Sequence, residues 1–309
     1  MTKVIVTTTI NQITEAIEKF AWMKDWGLVI AGDKKTPKPY ASGNANLIYL
    51  TPEIQEQIDP KLSELIGWNC IQRRNFAFLF ACKELKAEVI YTTDDDNIPM
   101  DIWGGNVGVG CDLECDEYQV AAPAFDPLSV TNHRNLWHRG YPIELVLGRP
   151  PSIAYTRGVQ KCQIQADLWN GEADVDAMCR LTHETSKCKF IPFYLPYTSN
   201  KPSPFNSQNT FLSREVLPHY FMFPGIGRYD DIMASYHVQA QGFRVMYGGP
   251  TVVQKRNEHS LIADLMAEMW GIEKCLSVVK EVPTNKNAVI DRLPERSLAA
   301  FRQYQTHFE

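Results

Sequence analysis

The sequence lacks the patterns that mark membrane and secreted proteins. It contains no run of about 18 apolar residues, which a membrane-spanning helix requires. Its opening residues, Met1 to Val6, do not form an apolar segment followed by a cleavage site, which is the pattern that directs secretion. These absences predict a chain that works in the cytoplasm and does not contact a membrane.

Cysteine spacing and charge exclude two further classes. The eight cysteines include no CxxC pair, and Cys111 and Cys115 are the closest two, so a zinc ribbon is not expected. Lysine and arginine number 31 against 36 aspartates and glutamates, which gives a net charge of −5. A protein that binds nucleic acid generally shows a basic excess, so this class is disfavoured, although a local basic groove stays open.

Short β-branched runs alternate with helical segments in the first part of the chain. Strands are predicted at 4–9, 26–31, 46–50 and 88–93, and helices at 14–21, 53–66 and 70–85. Further helices are expected at 173–181, at 231–241 and after 260, with a strand at 243–247. This alternation predicts an α/β fold with a mainly parallel sheet flanked by helices.

An acidic run follows one of these strands. Asp94, Asp95 and Asp96 come directly after the apolar segment 88–91. Three adjacent carboxylates repel one another, and a hard divalent cation such as Mg²⁺ or Mn²⁺ relieves that repulsion because it prefers oxygen ligands. In a parallel sheet, ligands collect at the carboxyl ends of strands, where Thr7 to Thr9 and Asp33 are also expected. The alternative is a solvated turn, in which aspartate is common.

Several motifs resemble two related families. The segment Arg139-Gly140-Tyr141-Pro142 with Gly148, the acidic run, and 226–231 resemble the reversibly glycosylated polypeptides, which are UDP-arabinopyranose mutases. The segments that resemble the STELLO-type glycosyltransferase-like proteins are 6–11, 32–37, 173–177, 179–182 and 203–210. The likeness implies a GT-A glycosyltransferase fold over residues 1–260, with 261–309 as a C-terminal helical extension packed on it.

The resemblance implies a transferase that moves a sugar from a UDP-sugar to an acceptor with the help of Mn²⁺ or Mg²⁺. Asp94 and Asp96 would hold the metal, with Asp94 also facing the ribose, and His259 or Gln254 would complete the metal shell. Asp230 or Asp231 would serve as general base, the alternative being a helix cap. The other residues expected to bind the donor are Thr7, Thr8, Thr9, Asp33, Lys34, Arg73, Arg74, Asp95 and Arg228, and those expected to bind the acceptor are Asn206, Gln208 and Asn209.

One departure from the mutases bears on the reaction. In that family an arginine tied to sugar attachment follows the Arg-Gly-Tyr-Pro segment, and the matching position here is Val146. A valine neither holds a sugar nor pairs with a phosphate, so the sequence favours transfer to a separate acceptor. The acceptor stays open between glycan, protein, small molecule and modified nucleic-acid base. The alternatives are a nucleotide-sugar mutase and a non-catalytic protein that binds a sugar nucleotide.

Overall fold

The computed structural model describes residues 2–37, 46–256 and 260–309, and these form a mixed sheet flanked by helices. The strands are β1 (Lys3–Thr9), β2 (Trp26–Gly32), β3 (Leu47–Leu50), β4 (Val89–Thr93), β5 (Asn97–Pro99), β6 (Asp112–Tyr118), β7 (Tyr155–Lys161), β8 (Ile164–Gly171), β9 (Tyr197–Ser199), β10 (Asn209–Ser213) and β11 (Val245–Gln254). The helices are α1 (Glu15–Ala21), α2 (Pro52–Ile58), α3 (Pro60–Ile66), α4 (Arg74–Lys83), α5 (Ala177–Thr182), α6 (Asp230–Ala240), α7 (Leu261–Glu281) and α8 (Glu295–Gln305).

The sheet confirms the predicted α/β class and shows where parallel pairing stops. Its strand order is β3-β2-β1-β4-β10-β8-β11-β9-β6-β7, and β5 pairs with β11. The first four strands in this order are all parallel. Beyond them the sheet is mixed, because β10 lies antiparallel between β4 and β8. The expected mainly parallel arrangement therefore holds for the first four strands of the chain.

Burial explains why the N-terminal strands were predictable. Val4, Ile5 and Val6 of β1 are buried, and every residue of β4 is buried. Parallel strands covered on both faces read as continuous apolar or β-branched runs, and these strands do. The helix α4 before β4 is buried along most of its length, as its apolar residues indicated.

The predicted helix 53–66 is two helices, which is a correction. Pro60 interrupts it, since a proline disfavours helical geometry in the residue before it. Asp59 takes an extended conformation there, and its carboxylate caps α3 by accepting the Leu62 amide hydrogen at 2.8 Å. Proline in the first turn of a helix is itself favourable.

The middle of the chain contains strands that the sequence did not predict. The strand β6 carries aspartate and glutamate at alternating positions, and nearly all of β7 is exposed. The alternation in β6 is a strand pattern that the sequence analysis did not use, whereas β7 has little buried apolar surface and gives no such signal. The predicted strand at 243–247 extends to Gln254, where it meets β5 with Gln254 opposite Asn97.

The C-terminal helices pack on the rest of the chain. The helix α7 lies against the segment Gly227–Tyr229, and α8 packs on α3. Both helices contribute buried residues, including Cys275 and Phe301, to the hydrophobic core that also contains β1 and β4. The division of the chain at residue 260 stays a prediction. No helix in the described ranges combines the length and apolarity that crossing a bilayer demands.

We expect Gly271→Ala to destabilise the fold through the contact between α7 and Tyr229. A Cβ at position 271 would lie 1.9 Å from the buried Tyr229 ring, so the ring or the helix must shift. Overpacking of this kind costs about 1–3 kcal/mol, which urea-induced unfolding would detect. The matched control is Gly158→Ala, because a Cβ there meets nothing within 4 Å. Equal stability of the two variants would contradict this packing.

Candidate active site

The carboxyl ends of β1 and β4 bring the acidic run beside a threonine cluster. These strands are parallel neighbours, with Val6 opposite Thr92. The Thr9 hydroxyl donates a hydrogen bond to the Asp95 carboxylate, and Asn11 Nδ2 donates to the same oxygen at 3.0 Å. Thr14 Oγ1 donates to the Asp95 carbonyl oxygen at 2.5 Å. The acidic run is therefore fastened to the end of β1 and to the start of α1.

The three aspartates divide between two adjoining clefts. The main cleft, of about 300 Å³, includes Asp94 and Asp96 in its lining. The side cleft, of about 190 Å³, is lined by Asp95 together with Thr8, Thr9, Ile10, Asn11, Asn69, Cys70 and Ile71. Ile71 lines both clefts. The acidic run leaves β4 and turns toward β5, with Asp95 and Asp96 in the turn. Asp95, and not Asp94, lies at the side that Thr8 and Thr9 share, and a contact from Asp94 to a ribose stays a prediction.

Asp94 forms a buried ion pair at the wall of the main cleft. Arg74 Nη2 lies 2.5 Å from Asp94 Oδ1, and Arg74 is 1% exposed. The other terminal nitrogen of Arg74 donates to Ser207 Oγ at 3.0 Å and to the Ser207 carbonyl at 3.1 Å. Burial raises the pKa of Asp94, and the positive charge of Arg74 opposes that rise. Arg74 thus holds Asp94 in place and leaves its second oxygen for the cleft.

Asp96 and two amides supply oxygens that have no hydrogen-bond donor. Burial and the charges of Asp94 and Asp95 raise the pKa of Asp96 to about 7. Within the described residues, Asp96 Oδ1, Gln208 Oε1 and Gln254 Oε1 are buried and accept no hydrogen bond. All three residues line the main cleft. Buried acceptors without donors are costly, and a bound cation satisfies them directly.

This donor set fits a hard divalent cation that keeps part of its own hydration. In the described ranges, no three residues of the types histidine, cysteine, aspartate and glutamate are grouped to hold a metal ion. Mg²⁺ commonly binds through one or two carboxylates and takes water and substrate phosphates as its remaining ligands. Asp94, Asp96 and an amide oxygen match that pattern. The expected ligand His259 lies outside the residues that the structure describes.

The paired aspartates at the start of α6 have different environments. Asp231 accepts from Arg139 Nη1 and Nη2 at 2.9 and 3.0 Å, and from the Ser207 amide and hydroxyl at 3.0 and 3.1 Å. These contacts, led by Arg139, outweigh burial and lower the pKa of Asp231. Asp230 accepts from Gln72 Nε2 at 2.7 Å. Burial and the neighbouring Asp231 raise the pKa of Asp230 to about 7. Of the two, Asp230 is the one suited to accept a proton near neutral pH.

Arg139 joins several segments behind the main cleft. Its guanidinium also contacts Asp174, with Nη2 lying 3.0 Å from Asp174 Oδ2, and it donates to the Arg228 carbonyl oxygen. Asn206 Nδ2 donates to Asp174 at 2.9 Å. Arg139 lowers the pKa of Asp174 against the effect of burial. The network fixes the position of Asp231 and favours its ionised form.

The structure corrects several expected donor contacts. Arg73 lies in the interior, where it donates to Gln55 Oε1 at 2.8 Å and its guanidinium lies 3.6 Å from the Trp68 ring centre. Thr7 is 1% exposed and lies inside the sheet. Lys34 extends over Trp68, with Nζ 4.6 Å from the ring centre. None of the three is among the residues that line the two clefts.

Asp33 accepts backbone hydrogen bonds, in line with the alternative that it caps the end of its strand. Its carboxylate accepts the backbone hydrogens of Lys34, Asn69 and Cys70 at 2.6, 2.8 and 3.2 Å. It therefore fastens the loop that forms one wall of the side cleft, and a contact from Asp33 to a nucleoside stays a prediction.

Two of the three residues expected to bind an acceptor lie elsewhere. Asn209 is fully buried between β4 and β8, where it accepts from Tyr91 Oη at 2.8 Å and donates to the Leu168 carbonyl at 2.8 Å. Asn206 is committed to the Asp174 network. Gln208 alone lines the main cleft.

Three charged residues that line the main cleft were not among the predicted site residues: Arg139, Arg256 and Asp264. Arg228, which was expected there, lies 3.4 Å from Asp264 and 3.1 Å from Glu268. The basic pair Lys255-Arg256 directly after the last strand was the signal that could have identified Arg256, since strand ends line such sites.

A comparison with known proteins relates the chain to a named protein. No family model matches the chain. A protein of Arabidopsis thaliana named probable glycosyltransferase STELLO2 is 26% identical over 231 residues, which is 67% of this chain and 29% of that protein. The predicted resemblance to the STELLO-type proteins is confirmed. This chain spans less than a third of that relative, and the resemblance to the mutases stays a prediction.

A solved structure also resembles the chain. It is glucosyl-3-phosphoglycerate synthase from Mycobacterium tuberculosis, at 13% sequence identity and a TM-score of 0.45, over 91% of this chain and 81% of that one.

We expect Arg139→Gln to destabilise the protein more at pH 7 than at pH 5. Removing one partner of a buried ion network costs about 3–5 kcal/mol, because Asp174 and Asp231 are then buried without a counter-charge. In the wild type Arg139 lowers the pKa of both carboxyls, so their contribution persists above the unfolded-state pKa and falls away at more acidic pH. In the variant, Asp174 and Asp231 have lost their counter-charge and take up protons as the pH falls from 7. The difference in stability between wild type and variant therefore becomes smaller.

Chemical unfolding at the two pH values measures this difference. The control is Arg157→Gln, whose ion pair with Asp116 lies on the surface and contributes little. If Arg139→Gln loses no more stability than the control at either pH, the network does not hold the cleft wall.

Proposed function

We propose that this chain is a GT-A-type glycosyltransferase that moves a sugar from a nucleotide-sugar donor, specifically a UDP-sugar, to a separate acceptor with the aid of Mn²⁺ or Mg²⁺. The similarity to the probable glycosyltransferase STELLO2 supports this class of reaction. The observation that carries the proposal is the division of one acidic run between two adjoining clefts, together with three residues of the main cleft, Asp96, Gln208 and Gln254, that each have a buried oxygen without a donor among the described residues.

The main cleft has the chemistry that a diphosphate and its metal need. Asp94, Asp96 and Gln254 would hold the metal, with Gln208 beside them. When bound, the metal would neutralise the diphosphate and stabilise the UDP leaving group. Arg228, half-buried at the same cleft, would place a positive charge beside the phosphates. Arg74 would keep Asp94 oriented through their ion pair.

The side cleft suits the nucleoside half of the donor. It adjoins the main cleft through Ile71, so a nucleotide can extend from one cleft into the other. Its polar groups include Thr8, Thr9 and Asn11, and the carboxylate of Asp95 would face the ribose hydroxyls. Hydroxyl and amide groups both donate and accept, as recognition of a base and a sugar requires.

Asp230 would accept the proton of the attacking acceptor hydroxyl. It lines the main cleft, and its raised pKa of about 7 matches what a general base needs at neutral pH. Asp231, the next residue in the first turn of α6, would remain ionised in the Arg139 network. Val146 does not belong to the lining of the main cleft, which supports transfer to a separate acceptor over a mutase reaction.

Donor binding can be tested by thermal unfolding with a panel of nucleotide sugars, with and without Mn²⁺. Ligands that bind the native state raise the apparent melting temperature. We expect a metal-dependent increase with UDP-sugars that is lost in Asp96→Asn. Asp116→Asn is the control, because Asp116 lies on β6 and pairs with Arg157 away from the clefts. A panel without any response would refute the proposal.

The role of Asp230 can be tested by following UDP release from the UDP-sugar that binds. We expect Asp230→Asn to lower kcat by about 10²–10⁴-fold while the melting-temperature response to the donor persists. In the wild type kcat/KM should rise with pH through about 7 as Asp230 loses its proton. An unchanged kcat in the variant would remove Asp230 from the mechanism, and an isomerised nucleotide sugar formed without acceptor would identify a mutase.

A further inference from the structure

Two buried arginines beside the main cleft have incomplete hydrogen bonding. Arg256 lines the cleft with its side chain 11% exposed, and Arg180 lies nearby with its side chain 4% exposed. The Nη1 atom of each is buried and has no hydrogen-bond partner among the described residues. Leaving a buried charged donor unpaired is costly, so these groups indicate a missing acceptor.

Among the described residues, Arg256 has no carboxylate within hydrogen-bonding distance. Arg180 and Arg228 both lie near enough to Arg256 to repel it. Asp264 is shared, at 3.4 Å from Arg228 and 3.6 Å from Arg256, and the longer distance exceeds that of a hydrogen bond. Arg228 has a second partner in Glu268, whereas Arg256 has only the long contact to Asp264 within the described ranges.

The chain places Arg256 next to the acidic run. The backbone amide of Lys255 donates to the Asp96 carbonyl oxygen at 3.1 Å, and Gln254 precedes it at the end of β11. Arg256 therefore enters the main cleft beside Asp96. A ligand that reaches both residues must present negative charge to the Arg256 guanidinium. It must also bind next to the Asp96 carboxylate, either directly or through a cation.

We propose that Arg256 and Arg228 form a binding site for a phosphate-type anion in the main cleft. A guanidinium offers two parallel N–H donors that match phosphate oxygens, and it stays charged when buried. Arg180 lies behind this site and adds positive potential. The identity of the anion rests on the proposed function: it is either the diphosphate of the donor or a phosphate group on the acceptor.

The test is isothermal titration calorimetry with inorganic pyrophosphate in the absence of divalent metal. We expect the wild type to bind and Arg256→Gln to bind at least about tenfold more weakly, which is the loss expected for a hydrogen bond to a charged group. Arg256→Lys should fall between the two because it keeps the charge and loses the fork. The control Arg244→Gln lies at the opposite end of β11, is half-exposed and should match the wild type.

Loss of folding is separated from loss of the site by thermal unfolding without anion. Arg256→Gln removes a buried charge that is poorly paired, so its melting temperature should be no lower than that of the wild type. Pyrophosphate binding that is absent in the wild type, or equal in the wild type and Arg256→Gln, would overturn the proposal.

Two arms identify the source of the anion and separate this inference from the proposed function. Inorganic phosphate is titrated into wild-type protein saturated with UDP and Mn²⁺. If UDP prevents phosphate from binding, the anion is the donor diphosphate. If phosphate still binds and this binding is lost in Arg256→Gln, the anion is a phosphate group on the acceptor. If no UDP-sugar binds but pyrophosphate binding still depends on Arg256, the proposed function fails and the anion site stands. If UDP-sugars bind and Arg256→Gln changes neither UDP nor pyrophosphate affinity, this inference alone fails.

Discussion

The candidate site depends on the buried contact of Arg139 with two carboxylates. The guanidinium contacts Asp174 and Asp231, and Asp231 in turn accepts from the Ser207 amide. Four segments distant in sequence are thereby held around one charge. Such a network stabilises only when every member is present, since each carboxylate alone is costly to bury. The same contact makes the neighbouring aspartates unequal: both line the cleft, but the pKa of Asp231 is lowered and that of Asp230 is raised.

The parts of the site that the sequence predicted are those encoded locally. A β-branched strand followed by three aspartates predicts a strand end with carboxylates, and β4 with Asp94–Asp96 has that arrangement. Local patterns do not show which of two neighbouring residues packs in the interior and which lines the site. Arg73 and Arg74 are adjacent, yet one packs on Trp68 and the other pairs with Asp94. Gln208 and Asn209 diverge likewise, because successive residues entering β10 point to opposite sides.

Pairing between strands that are distant in sequence brings further residues to the cleft, and local sequence patterns do not indicate this pairing. Gln254 approaches Asp96 because β11 pairs with β5, a three-residue strand too short to give a periodic signal. Arg256 reaches the cleft for the same reason, through the bond from the Lys255 amide to the Asp96 carbonyl. The antiparallel entry of β10 between β4 and β8 brings Ser207 and Gln208 to the cleft, and no local pattern specifies strand order.

Thr14 links the start of α1 to the acidic run, and this link affects local opening of the helix. Its hydroxyl oxygen caps α1 by accepting the Ile17 amide hydrogen at 3.3 Å, and the same hydroxyl donates to the Asp95 carbonyl. The first turn of a surface helix ordinarily opens readily to solvent exchange. Here that opening requires the acidic loop to release Thr14, so amide exchange in α1 reports on the order of the loop. Any occupant that immobilises the loop should slow deuterium uptake in a helix that it does not touch.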